Sequence, residues 1–264
     1  MVSSVIMIIK IRERNHIRLQ KYLQEELDKR TREVVAQKEE LEVKNKEITD
    51  SINYAKRIQS SILPPIQRLK DAFPESFVFY QPRDIVSGDF YWWGRIDEDR
   101  FLVVCADSTG HGVPGAFMSM IGSTLIKDVT NQRRYESPSQ LLSYLDKEIT
   151  TALNQNLEAE RSNDGMDIVI CEIHPKIRHL KFASAMRPII LFHQNEQFYI
   201  RGNRSAVGGE VVGEKIFDDQ EYDLNQGDII YMFSDGYPDQ FGGPRGKKFK
   251  MVRLKNLIDD IHDK

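Results

Sequence analysis

The chain has 264 residues and a formal net charge of −3, enough for one large domain or one domain with an appendage. Its apolar share is ordinary and its aromatic content healthy, which supports a sizeable core, while the slightly acidic balance excludes a bulk electrostatic footprint for nucleic acid. The two cysteines, Cys105 and Cys171, lie in apolar strand-like runs; they read as buried thiols of a reducing compartment, not as a disulfide framework or a thiolate zinc site.

Val2–Ile11 is mostly apolar, about half the roughly 20 residues that a membrane-spanning helix needs, and Lys10, Arg12, Arg14, Arg18 and Lys21 follow at once. Two readings stand for residues 1–11. One is the cytoplasmic end of a transmembrane helix whose earlier part precedes Met1, a membrane tether with a positive-inside flank. The other is the apolar start of a soluble helix. No small-residue cleavage site follows, which argues against a signal peptide. Between Lys10 and Leu63 there is no Gly or Pro, and Leu27, Val34, Leu41, Ile48, Ala55 and Ile62 recur every seventh residue. A sustained column of this kind predicts a coiled coil over residues 12–63. With that column as d, the a positions are Thr31, Lys38, Asn45, Ile52 and Gln59; polar a residues lower stability but select register and a parallel homodimer.

Pro64-Pro65 ends this helix, and residues 64–264 then change period. Phe77–Tyr80, Phe90–Ile96 and Phe101–Ala106 read as strands, Val113–Val129 as a helix, and Ser137-Pro138-Ser139-Gln140 as a capping box opening another, with Leu141, Leu142, Leu145, Ile149 and Leu153 as its apolar stripe. Strand candidates follow at Ile168–Ile173, His179–Ala185, Pro188–Phe192, Gln197–Ile200 and Asp228–Phe233, and a helix at Met251–Ile261. Strands, two consecutive helices and more strands make an α+β fold.

Four short segments carry the chemistry: Ser87-Gly88-Asp89-Phe90-Tyr91, Ala106-Asp107-Ser108-Thr109-Gly110-His111-Gly112, Asp164-Gly165-Met166-Asp167 and Phe233-Ser234-Asp235-Gly236. Each alone has an ordinary reading: a turn aspartate, a helix-capping loop, a type I turn. Together, aspartates delivered from apolar strand ends suggest clustered carboxylates, which repel unless a cation lies among them. Without His or Cys partners they favour Mg²⁺ or Mn²⁺ over zinc. Two such ions can activate a shared water for in-line attack on a phosphoryl group, and no serine elbow, Cys-His pair or Walker loop offers a competing nucleophile or phosphate cradle. His111 reads as a loop hydrogen-bonding residue.

The run from Arg83 through Asp89 to Trp92, the run Asp107 to Phe117, Asp164 to Ile168, and Phe233 to Gly243 together resemble the metal-dependent PP2C-like serine/threonine phosphatases, in the bacterial branch typified by SpoIIE and RsbU. The resemblance covers about Ile52 to Met251. It implies a PP2C-like β-sandwich flanked by helix pairs, with two metal ions in a cleft at one edge. By motif, Asp89 would hold the second metal, Asp107 bridge both, the Ser108 backbone carbonyl add a ligand, and Asp235 hold the first metal; Asp167 is a further candidate. Arg83 is a candidate phosphate or interface contact, with a plain surface arginine as its alternative. The implied reaction is attack of a metal-bridged hydroxide on phosphoserine or phosphothreonine of a regulator protein, of the anti-anti-sigma type in relatives, in the cytoplasm or at the inner membrane face. Family members continue through a further helix and a strand with an Asp-Asp motif. Asp259-Asp260-Ile261 has no strand after it and reads as helix face, so a domain lacking its last helix and strand is the expectation. That leaves a second reading open: a non-catalytic dimeric interaction module derived from such a phosphatase. A histidine-kinase-like ATP site, suggested by the glycines after Asp107, has the wrong spacing and leaves the Asp89 and Asp235 segments unexplained.

Overall fold

Proline and glycine punctuate this chain where its elements begin and end. In the computed structural model, residues 2–132, 135–155, 162–209, 214–244 and 246–262 are described. Met1, which opens the apolar N-terminal segment, and residues 263–264, which close the predicted phosphatase domain, lie outside them.

Helix α1 (Val2–Ile62) runs unbroken up to Pro64-Pro65, as the lack of Gly and Pro permits, and the short α2 (Ile66–Ala72) follows. Ion pairs one turn apart, such as Lys38–Glu42 and Glu40–Lys44, line its surface and add roughly 0.3 kcal/mol each. Leu27, Val34, Leu41 and Ile48 are all more than half exposed. Among the described residues no helix is long and apolar enough to cross a membrane. The chain divides into Met1–Asn53 and Tyr54–Lys264, so the last turns of α1 belong to the second unit. Gln59, an a position in the heptad reading, is 4% exposed there, bonded to Ser87 and Ser119 of that unit.

The second unit is layered. A six-stranded antiparallel sheet contains β1 (Phe90–Arg95), β2 (Phe101–Ser108), β3 (Gly165–His174), β4 (His179–Ala185) and, beyond them, β7 (Val207–Gly208) paired with β3 and β8 (Gln220–Asp223) paired with β4. A three-stranded sheet is formed by β5 (Ile189–His193) between β6 (Glu196–Ile200) and β9 (Ile229–Met232). Alternation along each strand decides the stacking, since successive side chains face opposite ways. Leu102, Val104, Ala106, Ile168 and Ile170 join a core with α3 (Gly112–Gln132) and α4 (Pro138–Ala152). The intervening Cys105, Val169 and Cys171 face Ile189, Ile230 and Met232 of the smaller sheet. On that sheet's other side, Ile190 and Phe192 pack on Leu254 and Ile258 of α5 (Met251–Ile261). The order is helices, sheet, sheet, helix: the expected sandwich. Asp259 and Asp260 are exposed on α5.

The predicted helices and most predicted strands form. Helix α4 starts at Ser137, whose hydroxyl accepts from the Gln140 amide; Gln140 reaches back one residue further than a capping box requires, to the Glu136 amide. Asp219 adds a second cap, accepting from the Ser139 amide and hydroxyl at 2.8 Å each. Phe77–Tyr80 is not a strand. It makes no ladder pairing, with Phe77 edge-on to Tyr231 and Phe79 edge-on to Tyr237. The aromatic run signalled contact with a sheet edge, which the period could not tell from membership. Strand β8 escaped sequence reading because only Tyr222 of its four residues joins the core.

Candidate active site

Strand register builds the site. In the β2–β3 ladder Asp107 lies directly opposite Asp167. The β1–β2 ladder pairs Phe90 with Ala106, so one step further Asp89 falls opposite Asp107. Three carboxylates thus occupy one row across three adjacent strand ends, an arrangement that like-charge repulsion disfavours without a counter-charge. The fourth comes from the other sheet. Just past β9, Ser234 donates to Asp89 Oδ2 at 2.6 Å, and a Cβ on Gly236 would stand 3.3 Å from the same oxygen, so the Ser234-Asp235-Gly236 turn closes over the row.

At the centre is a residue that the sequence did not single out. Arg187 Nη2 lies 2.6 Å from Asp107 Oδ2, 3.1 Å from Asp167 Oδ2 and 3.2 Å from Asp235 Oδ2. The turn between β4 and β5 aims it there. Met186 holds a left-handed φ of 66°, its amide donating to Asn203 O, and the Ser184 hydroxyl donates to the Arg187 carbonyl. The only sequence signal was a charged residue before Pro188 in a turn joining two apolar strands.

The electrostatics follow. Burial and then the neighbouring Asp89 push the Asp107 carboxyl up to about 8, with Arg187 acting against them. Burial raises Asp167 as well. The Cys105 thiol, on the interior face next to this row, is pushed up to about 12 by burial, which removes it as a nucleophile at neutral pH.

The donor set suits a hard divalent cation: oxygen ligands on rigid strand ends, with no thiolate or imidazole among them. Two details of the guanidinium's fit agree. Asp107 Oδ2 receives no aligned hydrogen bond despite its close nitrogen, and Arg187 Nε is buried without a partner. As the side chains stand, no three His, Cys, Asp or Glu among the described residues are arranged to hold a metal ion, with the guanidinium interposed between them. Asp107, Asp167 and Asp235 are therefore gathered around one atom, and Asp89 joins them through Ser234. The Ser108 carbonyl packs against Gly88, 3.1 Å from where a Cβ would be. Arg83 is exposed and is not among the cavity-lining residues; its neighbour Asp84 contacts His111 Nδ1 at 3.2 Å, the loop-to-loop role expected of that histidine.

Two clamps hold the row. Thr109 Oγ1 donates to Asp164 and accepts from the Gly165 amide, at 3.0 Å each, which locks the end of β2 to the start of β3. Gln59, from the last turn of α1, donates to Ser87 O at 2.6 Å and Ser119 Oγ at 2.7 Å and accepts from the Ser87 amide. The end of the long helix is thus tied two residues from Asp89. Gln59→Ala should cost about 1–3 kcal/mol in urea unfolding, because it strands the polar groups of Ser87.

A cavity of about 510 Å³ opens beside the carboxylates, with Asn163, Arg204 and Lys215 among the residues that line it. Lys215 is committed to Asp146 and to the Gly208 carbonyl at 2.7 Å each; Arg204 is exposed.

A sandwich of two antiparallel sheets with acidic strand ends at one edge is the fold of PP2C-type serine/threonine phosphatase domains. The chain belongs to the SpoIIE family: the family model described as stage II sporulation protein E matches residues 97–264. Among solved structures it is similar to the PP2C domain of SiaA from Pseudomonas aeruginosa, with 30% identity and a TM-score of 0.70 over 82% of this chain and 83% of that one. It shares its fold with part of a Mycobacterium tuberculosis chain that comprises RsbU and RsbW domains (18% identity, TM-score 0.52, 69% of this chain and 48% of that one). The same holds for the PP2C domain with a regulatory fragment of Bacillus subtilis SpoIIE (18% identity, TM-score 0.51, 67% and 48%). No curated protein matches the chain.

Proposed function

We propose that the chain is a Mg²⁺- or Mn²⁺-dependent phosphatase that hydrolyses phosphoserine or phosphothreonine on a regulator protein. The observation that carries this reading is the convergence of Asp107, Asp167 and Asp235 on one cationic atom at the sandwich edge, in a chain of this family. Asp89, Asp107, Asp235 and the Ser108 carbonyl would hold the ions, with Asp167 beside them; when bound, these supply Lewis-acid charge and an activated water. The chain's own residues do the rest. The strand ladders keep the carboxylates rigid, so little reorganisation accompanies charge development. The adjoining cavity, with Arg204 at its wall, suits a doubly charged phosphoryl group carried on an extended segment.

The exposed seven-residue column of α1 supports a homodimer through a parallel coiled coil that carries an upstream signal to the Asp89 loop. The free thiols, Cys105 half-buried and Cys171 buried, support a cytoplasmic location, and the basic flank after Ile11 one at the inner membrane face.

Release of phosphate from a phosphoserine protein, started by Mn²⁺ and stopped by chelator, is the expected result; no release under saturating Mn²⁺ would sink the reading. Arg187 at the carboxylate centre favours a second one, a non-catalytic dimeric module that binds partners without turnover. Calorimetric titration separates them, since tight binding of divalent ions belongs only to the first.

A further inference from the structure

We infer that Arg187 is a built-in counter-cation, occupying the carboxylate centre until a divalent ion displaces it. This rests on the metal-site reading above and adds a competitor to it. The geometry has three parts. One nitrogen of Arg187 meets carboxylates from both sheets within 3.2 Å, the region that ions bound to these groups would share. The backbone of Arg187 is pinned by the Ser184 and Asn203 contacts of its turn, so the side chain alone must move. And it has somewhere to go, because Arg187 itself lines the 510 Å³ cavity.

The contact is a provisional one by its own chemistry. A guanidinium is a planar fork suited to paired, in-plane acceptors. Here a single nitrogen is shared among three carboxylates, Nε is left buried without a partner, and Asp107 Oδ2 lacks an aligned donor. A spherical ion has no such directional demand. Arg187 thereby keeps the acidic row from flying apart in the metal-free protein and sets a threshold ion concentration for assembling the site. Once displaced into the cavity, it brings its charge to the space where a phosphoryl group would lie.

Competition of this kind lowers apparent affinity by the fraction of molecules whose site is open. Mn²⁺ binding to the whole chain should be measured by calorimetry for wild type, Arg187→Gln and Arg204→Gln. The last removes the same charge from the same cavity without touching the carboxylates. Arg187→Gln should tighten binding by about tenfold or more, while Arg204→Gln changes it little. In chelator, Arg187→Gln should melt below wild type, with Mn²⁺ abolishing the difference. If Arg187→Gln does not fold in chelator, folding on addition of Mn²⁺ is the supporting result and failure to fold the overturning one. Equal tightening by both variants overturns the inference in favour of a general field effect, and so does no tightening by Arg187→Gln when wild type binds. If neither wild type nor Arg187→Gln binds Mn²⁺, the metal-site reading itself falls.

Discussion

Asp107→Asn should abolish tight Mn²⁺ binding and, in the absence of metal, make the protein more stable than wild type at alkaline pH. Asp107 is opposite Asp167, close to Asp89, and 16% exposed in its side chain. Its folded pKa of about 8 stands above the ordinary 3.8, so the fold prefers the protonated acid. The sign follows: ionisation costs the native state progressively as pH rises from 3.8 towards about 8, and the penalty is constant above that. Asparagine keeps the shape and removes the charge. The variant should therefore lose less stability across this window than metal-free wild type, a difference on the order of 6 kcal/mol at the alkaline end. Calorimetry supplies the other half, and wild-type-like Mn²⁺ binding by Asp107→Asn would remove Asp107 from the site.

Gly115→Ala should destabilise the protein although it places alanine in a helix. In a bare helix, alanine is favoured over glycine by about 1 kcal/mol. Here an added Cβ would stand 2.6 Å from Gly110 O and 2.9 Å from Gly88 Cα. Both are main-chain atoms, so neither can yield by changing rotamer. The first turn of α3 packs glycine against glycine on the loop that presents Asp89, and the clash drives that loop out of line. Overpacking of this sort costs about 3 kcal/mol, which outweighs the gain in propensity. Denaturant unfolding should show a net loss, accompanied by weaker Mn²⁺ binding. Gly242→Ala, at a site with nothing within 4 Å, is the control; equal stability of the two variants would refute the argument.

The parts of the site that are local in sequence were legible in it. Phe101–Ala106 followed by Asp107 announces a strand delivering a carboxylate, and the same pattern marks Asp235 after Ile229–Met232. Asp167 was the weaker candidate because its importance lies in register, directly across from Asp107, which no local pattern encodes. Arg187 was invisible for the same reason: one charged residue in a turn acquires its role only when two sheets stack and three carboxylates close around it. Gln59 misled in the other direction. Its place in a seven-residue column made it a polar core position between helices, yet its amide is spent on Ser87 and Ser119. Heptad spacing describes a helix face and does not say which surface that face meets.

The two sheets are joined differently in the middle and at the rim. Between them lies a dry apolar seam around Val169, Cys171, Phe182 and Ile189, which added salt leaves intact. At the carboxylate edge the fastening is ionic, with Arg187 bridging Asp107 and Asp167 of one sheet to Asp235 after the other. Such a clasp is partly screened as ionic strength rises. The second unit is therefore fastened in two ways, and only the carboxylate edge is sensitive to its ionic surroundings.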